Sequence, residues 1–344
     1  MKRLLVFRFS AMGDVAMTVP ILYSLVKQYP ELQITIVSRA AFQPFFEQLP
    51  ENISFVAADL YGKHKGIRGL YRLYRELHEM KFDAVADLHN VLRTFFLRWC
   101  FRLSGIPVEH FNKDRKAKKA LTRQKNKIRQ PLQTTFERYT KVFNKLGFSF
   151  PHTFTSIFEN QNPPASTLSA YTGSKENQHW IGIAPFAKHI GKTYPLEKME
   201  QVVNELSRHE NYRIFLFGGG VQELEILKNW EQKYPHTQTL SGKLKLNGEL
   251  ALIHQLEVMI SMDSANMHMA FLTATPVVSI WGATHPWGGF MGWNQSPENA
   301  IQLEMPCRPC SIFGHKPCYK NDYACLNQIT PQMIIEKVNF LLKN

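Results

Sequence analysis

Short apolar runs alternate with longer amphipathic ones along this chain. In the first half the apolar runs are Leu4–Phe9, Gln33–Val37, Ile53–Ala57 and Ala84–Leu88, and each reads as a buried strand. Between them, Met17–Gln28 and Gly69–Met80 carry apolar residues at helical spacing. Residues 159–179 are polar and hold Pro, Ser, Asn and Gly, which reads as a passage between domains. A second series follows, with strands at Trp180–Ala184, Tyr212–Phe217, Val258–Met262 and Pro276–Trp281. Pro331–Leu342 reads as a last helix.

Strand-then-helix alternation predicts an α/β fold with two doubly wound, Rossmann-like parallel sheets. The expected domains are 1–165 and 166–330. The closing helix, 331–344, is expected to pack back on the first domain. Ligands bind such sheets where the strand C-termini meet.

Two turns carry candidate chemistry. In "FRFSAMGDVAMTVPIL", residues 7–22, the first strand stops at Ser10-Ala11-Met12-Gly13 and Asp14 follows. Asp14 reads either as a helix cap or as a carboxylate held out over a cleft. In residues 258–286, a buried strand ends at Asp263, and Ser264, Ala265 and Asn266 turn into a helix containing Met267 and His268. Free N–H groups and the helix dipole make such a turn an anion site, but the same residues also suit an ordinary βαβ unit.

The net charge of +13 favours an anionic partner: nucleic acid, a membrane surface or a phosphorylated substrate. Nine of the Lys and Arg residues lie between 113 and 129, among them Lys116, Lys118, Lys119 and Arg123. No aromatic residues interleave with them, so nucleic acid is not expected. Arg8 interrupts the N-terminal apolar run, which argues against a signal peptide, and no run reaches the roughly 18 apolar residues of a membrane span. A cytoplasmic chain is expected, with its five cysteines as thiols or metal ligands. Cys307, Cys310, Cys318 and Cys325 leave a zinc reading open, although the second pair is widely spaced. Cys100 reads as packing.

The two turns, taken with "DLHNVLRTFFL" (87–97), "IAPFAKHIGKTYPLEKMEQVV" (183–203) and "FLFGGGVQELEIL" (215–227), resemble in order the motifs of glycosyltransferase family 9, the ADP-heptose:lipopolysaccharide heptosyltransferases. The resemblance implies the GT-B arrangement, with the acceptor on the first domain and the nucleotide sugar on the second. It implies inverting transfer with Asp14 as general base, and it puts Ser10 and Gly13 on the acceptor side. Lys192 matches a phosphate-contacting lysine. "GKT" at 191–193 is no P-loop, because Phe186 stands where its first glycine belongs. Backbone groups from Ala265 to His268 would complete the phosphate site without a metal. His268 reads equally as a ligand contact or as packing. Glu223, with Glu225 as the alternative, would take the ribose hydroxyls. The basic stretch would meet an anionic inner-leaflet surface and the acceptor's phosphates.

The chain departs from the family pattern in two places. Ala265 stands where glycine is usual, and no histidine follows Asp14, which leaves the exact acceptor open. A family member using another nucleotide sugar, a silent member, and a basic nucleic-acid-binding or membrane-binding protein of another class are the competing readings.

Overall fold

The computed structural model describes residues 2–159, 163 and 165–343. The chain forms two compact units, Met1–Asp114 with Gln133–Asn160, and Arg115–Leu132 with Gln161–Asn344. In the first, β1 (Arg3–Phe7), β2 (Gln33–Ser38), β3 (Ile53–Ala57), β4 (Ala84–Asp87) and β5 (Val108–His110) form one sheet in the order β3-β2-β1-β4-β5. In the second, β6 (His179–Ala184), β7 (Tyr212–Leu216), β8 (Thr237–Thr239), β9 (Val258–Met262), β10 (Val277–Ile280) and β11 (Ala300–Ile301) take the order β11-β10-β9-β6-β7-β8. Every strand pairing among the described residues is parallel. The α/β class and the two parallel sheets are as the alternation predicts.

Each sheet is covered by helices, which explains why its central strands are continuous apolar runs rather than alternating ones. Leu5 and Phe7 of β1 and Val85 of β4 bury against Leu73, Leu77, Leu97 and Phe101, from helices Gly66–Glu79 and Leu92–Leu103. In the second unit Ile183, Ile260 and Ile280 bury against Val202, Val203 and Leu206 of helix Leu196–Leu206.

Strand order reverses between β1 and β4 in one sheet and between β6 and β9 in the other. At such a switch point the neighbouring loops run off in opposite directions and leave a crevice. The turns singled out in the sequence lie at these two places.

Two expectations on domain organisation need correction. The basic stretch belongs to the second unit from Arg115 onward: Lys127 Nζ donates to the carbonyls of Cys307 (2.6 Å) and Pro309 (2.7 Å), and Leu132 N–H to Trp287 O (2.9 Å). The closing helix, Pro331–Lys343, packs on helix Leu196–Leu206 and on β9 and β10, with Ile334 and Val338 in the second core rather than the first. The division between the units does fall in the passage at 159–179, which also contains a helix, Ala165–Thr172, and of which residues 160–162 and 164 lie outside the described residues.

Gly182 in β6 shows how tightly that core is filled. A Cβ there would stand 2.5 Å from Leu256 Cδ1 and 2.5 Å from Met259 Sδ. Gly182→Val is expected to lower the stability of the second unit by about 1–3 kcal/mol. Urea unfolding of the variant measures this, and an unchanged midpoint would contradict the packing described.

Candidate active site

At the first switch point β1 leads into Arg8, which is buried. A buried guanidinium must be paired and hydrogen-bonded. Arg8 Nη1 donates to Leu88 O at 2.7 Å, and Nη2 stands 2.6 Å from Asp14 Oδ2. Tyr139, from helix Thr135–Lys145, lays its ring 6.0 Å from the guanidinium and donates its hydroxyl to Asp14 O at 3.3 Å. Burial works against the charge on Arg8, yet Asp14, Tyr139 and Asp87 together more than offset it and the pKa of Arg8 is raised. The Asp14 side chain remains 30% exposed, so a carboxylate braced by a guanidinium is presented at the tip of β1.

Asp14 is not the N-cap of its short helix, Met12–Ala16; it is the third helical residue and accepts the N–H of Ala11, the N-cap, at 3.3 Å. The capping and functional readings of this residue are therefore compatible. Ser10 and Gly13 lie on the same turn.

The loop after β4 completes the cluster. Asp87 is fully buried, and its Oδ1 accepts the N–H groups of His89 and Asn90, both at 2.9 Å. Arg98 Nε faces its Oδ2 at 3.2 Å, and Arg98 Nη2 donates to Asn90 Oδ1 at 3.1 Å. Asn90 adopts a φ of 52°, a left-handed conformation that asparagine tolerates better than most residues. Removing one partner of a buried pair such as Asp87–Arg98 costs about 3–5 kcal/mol, so this loop is firmly set.

That loop holds His89 edge-on to Phe9, at 5.8 Å between ring centres. Burial first, then the charge of Arg8, push the His89 pKa down to about 3, against the opposing pull of Asp14. Its imidazole is neutral near pH 7. Arg8, Asp87, His89, Arg98 and Tyr139 were not named as site residues from the sequence. The signal present was the "DLHNVLR" segment and the arginine that interrupts the first apolar run.

At the second switch point Lys192 follows β6 and Asp263 ends β9. Lys192 Nζ stands 2.8 Å from Asp263 Oδ2 and donates to Asp263 O at 3.0 Å. Asp263 is buried and holds the ammonium in place. Ser264 is the N-cap of helix Ala265–Leu272 but makes no side-chain cap bond; its hydroxyl faces Ser261 Oγ at 3.2 Å instead. Ala265 is the first helical residue, and its φ is not positive, so the turn does not require glycine. Ser264, Ala265 and Asn266 are partly exposed, whereas Met267 and His268 are buried. His268 packs edge-on to Phe271, at 5.7 Å between ring centres, which favours its packing role.

Glu223 lies in the first turn of helix Val221–Lys233, and its Oε2 accepts the N–H of Gly219 at 2.7 Å. Glu225 is exposed. The loop after β10 is fastened by buried Arg308, whose guanidinium reaches the carbonyls of Trp281 (3.1 Å), Gly282 (2.5 Å) and Thr284 (2.9 Å). In "CRPC" the arginine therefore organises the rim.

Cys307, Cys310, Cys318 and Cys325 lie close enough to influence one another electrostatically. Cys310 Sγ faces Ala283 O at 3.9 Å, Cys318 Sγ faces Asp322 Oδ1 at 3.5 Å, and Cys325 belongs to the core. Among the described residues no three His, Cys, Asp or Glu side chains are placed to hold a metal ion. Lys116, Lys118, Lys119 and Arg123 lie with the second unit, not on the expected acceptor domain. Lys118 places its ammonium 5.0 Å from the ring centre of Phe290 and 5.6 Å from that of Phe313. Cys100 is buried, as expected of packing.

The sequence model of glycosyltransferase family 9 (heptosyltransferase) matches residues 70–319. The chain belongs to this family. It is 25% identical over 315 residues to lipopolysaccharide heptosyltransferase 3 of Escherichia coli K12, covering 86% of this chain and 88% of that one. Among solved structures, the family 9 glycosyl transferase of Veillonella parvula DSM 2008 matches at a TM-score of 0.77 and 23% identity, over 99% of this chain and 97% of that one. The E. coli ADP-heptose lipopolysaccharide heptosyltransferase II matches at 0.73 and 19%, over 100% and 99%. These structural likenesses carry the fold, and the family model carries the membership.

The pKa of His89 gives a pH prediction. It is about 3 folded and ordinary, near 6.5, unfolded, so the unfolded chain binds more protons between these values. The stability this group contributes is whole above pH 6.5 and is lost as pH falls toward 3. His89→Gln should therefore lose less stability than the parent between about pH 7 and about pH 4.5 in urea unfolding. An identical loss in both proteins would contradict the burial assigned to this imidazole.

Proposed function

We propose that this family 9 transferase moves a heptose from ADP-heptose to a hydroxyl of the lipopolysaccharide inner core, with inversion at the anomeric carbon. The observation that carries this reading is the partly exposed Asp14 carboxylate, fixed by buried Arg8 at the switch point of the first sheet. The names of the heptosyltransferase relatives support the sugar and the acceptor.

In the proposed step the acceptor oxygen attacks the anomeric carbon as the bond from that carbon to the diphosphate oxygen breaks. Asp14 takes the hydroxyl proton, and ADP leaves with the bonding pair. A general base of this kind contributes roughly 10²–10⁴-fold. Ser10 and Gly13 line the acceptor side. Negative charge grows on the leaving diphosphate, and fixed donors aimed at it lower the barrier. Lys192, held by Asp263, supplies one cation, and the backbone N–H groups opening helix Ala265–Leu272 supply further donors. Glu223, in the first turn of the helix that follows β7, takes the ribose hydroxyls. These donors suffice for the diphosphate without a metal. The enzyme works at the cytoplasmic face of the membrane that carries its acceptor.

Two tests follow. Asp14→Asn should lose about 10²-fold or more in turnover while ADP affinity stays unchanged. Near-normal turnover with saturating substrates would remove the base assignment. Calorimetry in the presence of EDTA should show ADP binding to the intact chain, weakened by about 1.5–3 kcal/mol in Lys192→Ala. Binding that appears only with added magnesium would overturn the metal-free diphosphate site.

A further inference from the structure

Helix Leu92–Leu103 has its polarity arranged unusually. Leu97 and Phe101 face the core, as they should. The opposite face is also apolar: Leu92 is 89% exposed, Phe95 59%, Trp99 56% and Leu103 68%. At 100° per residue these four positions fall within a stripe of about 80°. Arg93 and Arg102 flank the stripe, and no acidic residue lies on the helix. Single exposed apolar residues are ordinary, but a stripe running the length of a helix marks a contact surface.

The neighbouring helix continues the surface. Tyr74 of Gly66–Glu79 packs its ring on Phe101 and bonds Ser104 Oγ at 2.6 Å, which sets the two helices side by side. Beside Tyr74, Ile67 and Tyr71 are exposed, as are Arg68, Arg72 and Arg75. Tyr61, also exposed, lies under the Arg93 guanidinium at 5.8 Å. Residues 63–103 hold nine Lys and Arg against four Asp and Glu, so the rim is cationic.

We propose that this two-helix face docks the protein on an anionic lipid bilayer. Leu92, Phe95 and Leu103 enter the acyl boundary, the amphipathic rings of Trp99, Tyr61 and Tyr71 sit at headgroup depth, and the arginine rim pairs with lipid phosphates. Charge decides between a bilayer and a second copy of this chain. A two-fold contact through the stripe would bring arginine rims of like sign together, whereas an anionic surface complements them. The surface follows from exposure and charge and does not depend on which sugar is transferred. It also lies well for a lipid-borne acceptor: helix Leu92–Leu103 begins directly after the loop that carries His89 beside Arg8 and Asp14.

The test uses the full-length protein in vesicle flotation, with phosphatidylcholine alone and with added phosphatidylglycerol. The parent should float with the anionic vesicles and much less with the neutral ones. The triple variant Leu92→Ser, Trp99→Ser, Leu103→Ser should lose about tenfold or more in affinity, and because its changes are on the surface it should fold normally. The emission of Trp99, taken as the difference between the parent and Trp99→Phe, should shift to the blue on anionic vesicles. Replacing Lys116, Lys118, Lys119 and Arg123 with Gln should leave flotation largely intact. A parent that does not float, a triple variant that floats like the parent, an unmoved Trp99 emission, or loss of flotation in the lysine–arginine variant alone would each overturn the proposal. So would a parent dimer in sedimentation that the triple variant dissociates without any change in flotation. Transfer to a lipid-free acceptor, which the triple variant should retain in full, separates failure of this surface from failure of the proposed reaction.

Discussion

The ion pair between Arg8 and Asp14 organises the first unit. A guanidinium placed directly after a buried strand has no water to satisfy it, so it must draw partners from whatever surrounds it. It takes Leu88 from the β4 loop, Asp14 from the β1 turn and the ring of Tyr139 from helix Thr135–Lys145. The pair thus locks three segments around one partly exposed carboxylate, and burial, with the same positive charge second, keeps His89 neutral. Electrostatic need on the buried side therefore fixes the geometry of the presented side.

The second unit repeats this logic with other residues. Lys192 comes from the loop after β6 and Asp263 from the end of β9, and here a buried acid aims a less buried cation across the switch point. In one unit the buried partner is the cation and the exposed one the acid; in the other the roles are reversed. The first arrangement suits removal of a proton, and the second suits neutralisation of an anion. Topology places both, because in each sheet the crevice opens where neighbouring loops diverge.

The fold was legible wherever burial dictated composition. Central strands such as β1, β6 and β9 are covered on both faces and must be continuously apolar, so their runs stand out. Three edge strands, Val108–His110, Thr237–Thr239 and Ala300–Ile301, are only two or three residues long, and they carry no run to notice. The placement of Arg115–Leu132 was not legible because polar side chains do not reveal which core their backbone crosses. Its docking rests on contacts such as Lys127 with the carbonyls of Cys307 and Pro309, far away in sequence. At the site, Asp14 and Lys192 were readable from local motifs. Arg8 and Arg98 were not, since a charge that breaks an apolar run looks the same whether it points to solvent or to a buried partner. The apolar stripe on helix Leu92–Leu103 was hidden for a related reason: a helix apolar on both faces reads simply as well buried.

The central claim is that Arg8 and Asp14 act as one unit in transfer, and a double-mutant cycle on turnover tests it most directly. Transfer rates of Arg8→Met, Asp14→Asn and the double variant would be compared with that of the parent, with ADP affinity as the control for folding. If Arg8 serves the reaction by fixing Asp14, the double variant should turn over no more slowly than Asp14→Asn alone. Losses that multiply, so that the double variant falls below Asp14→Asn by the full factor of Arg8→Met, would show that the two residues work independently and would contradict the account.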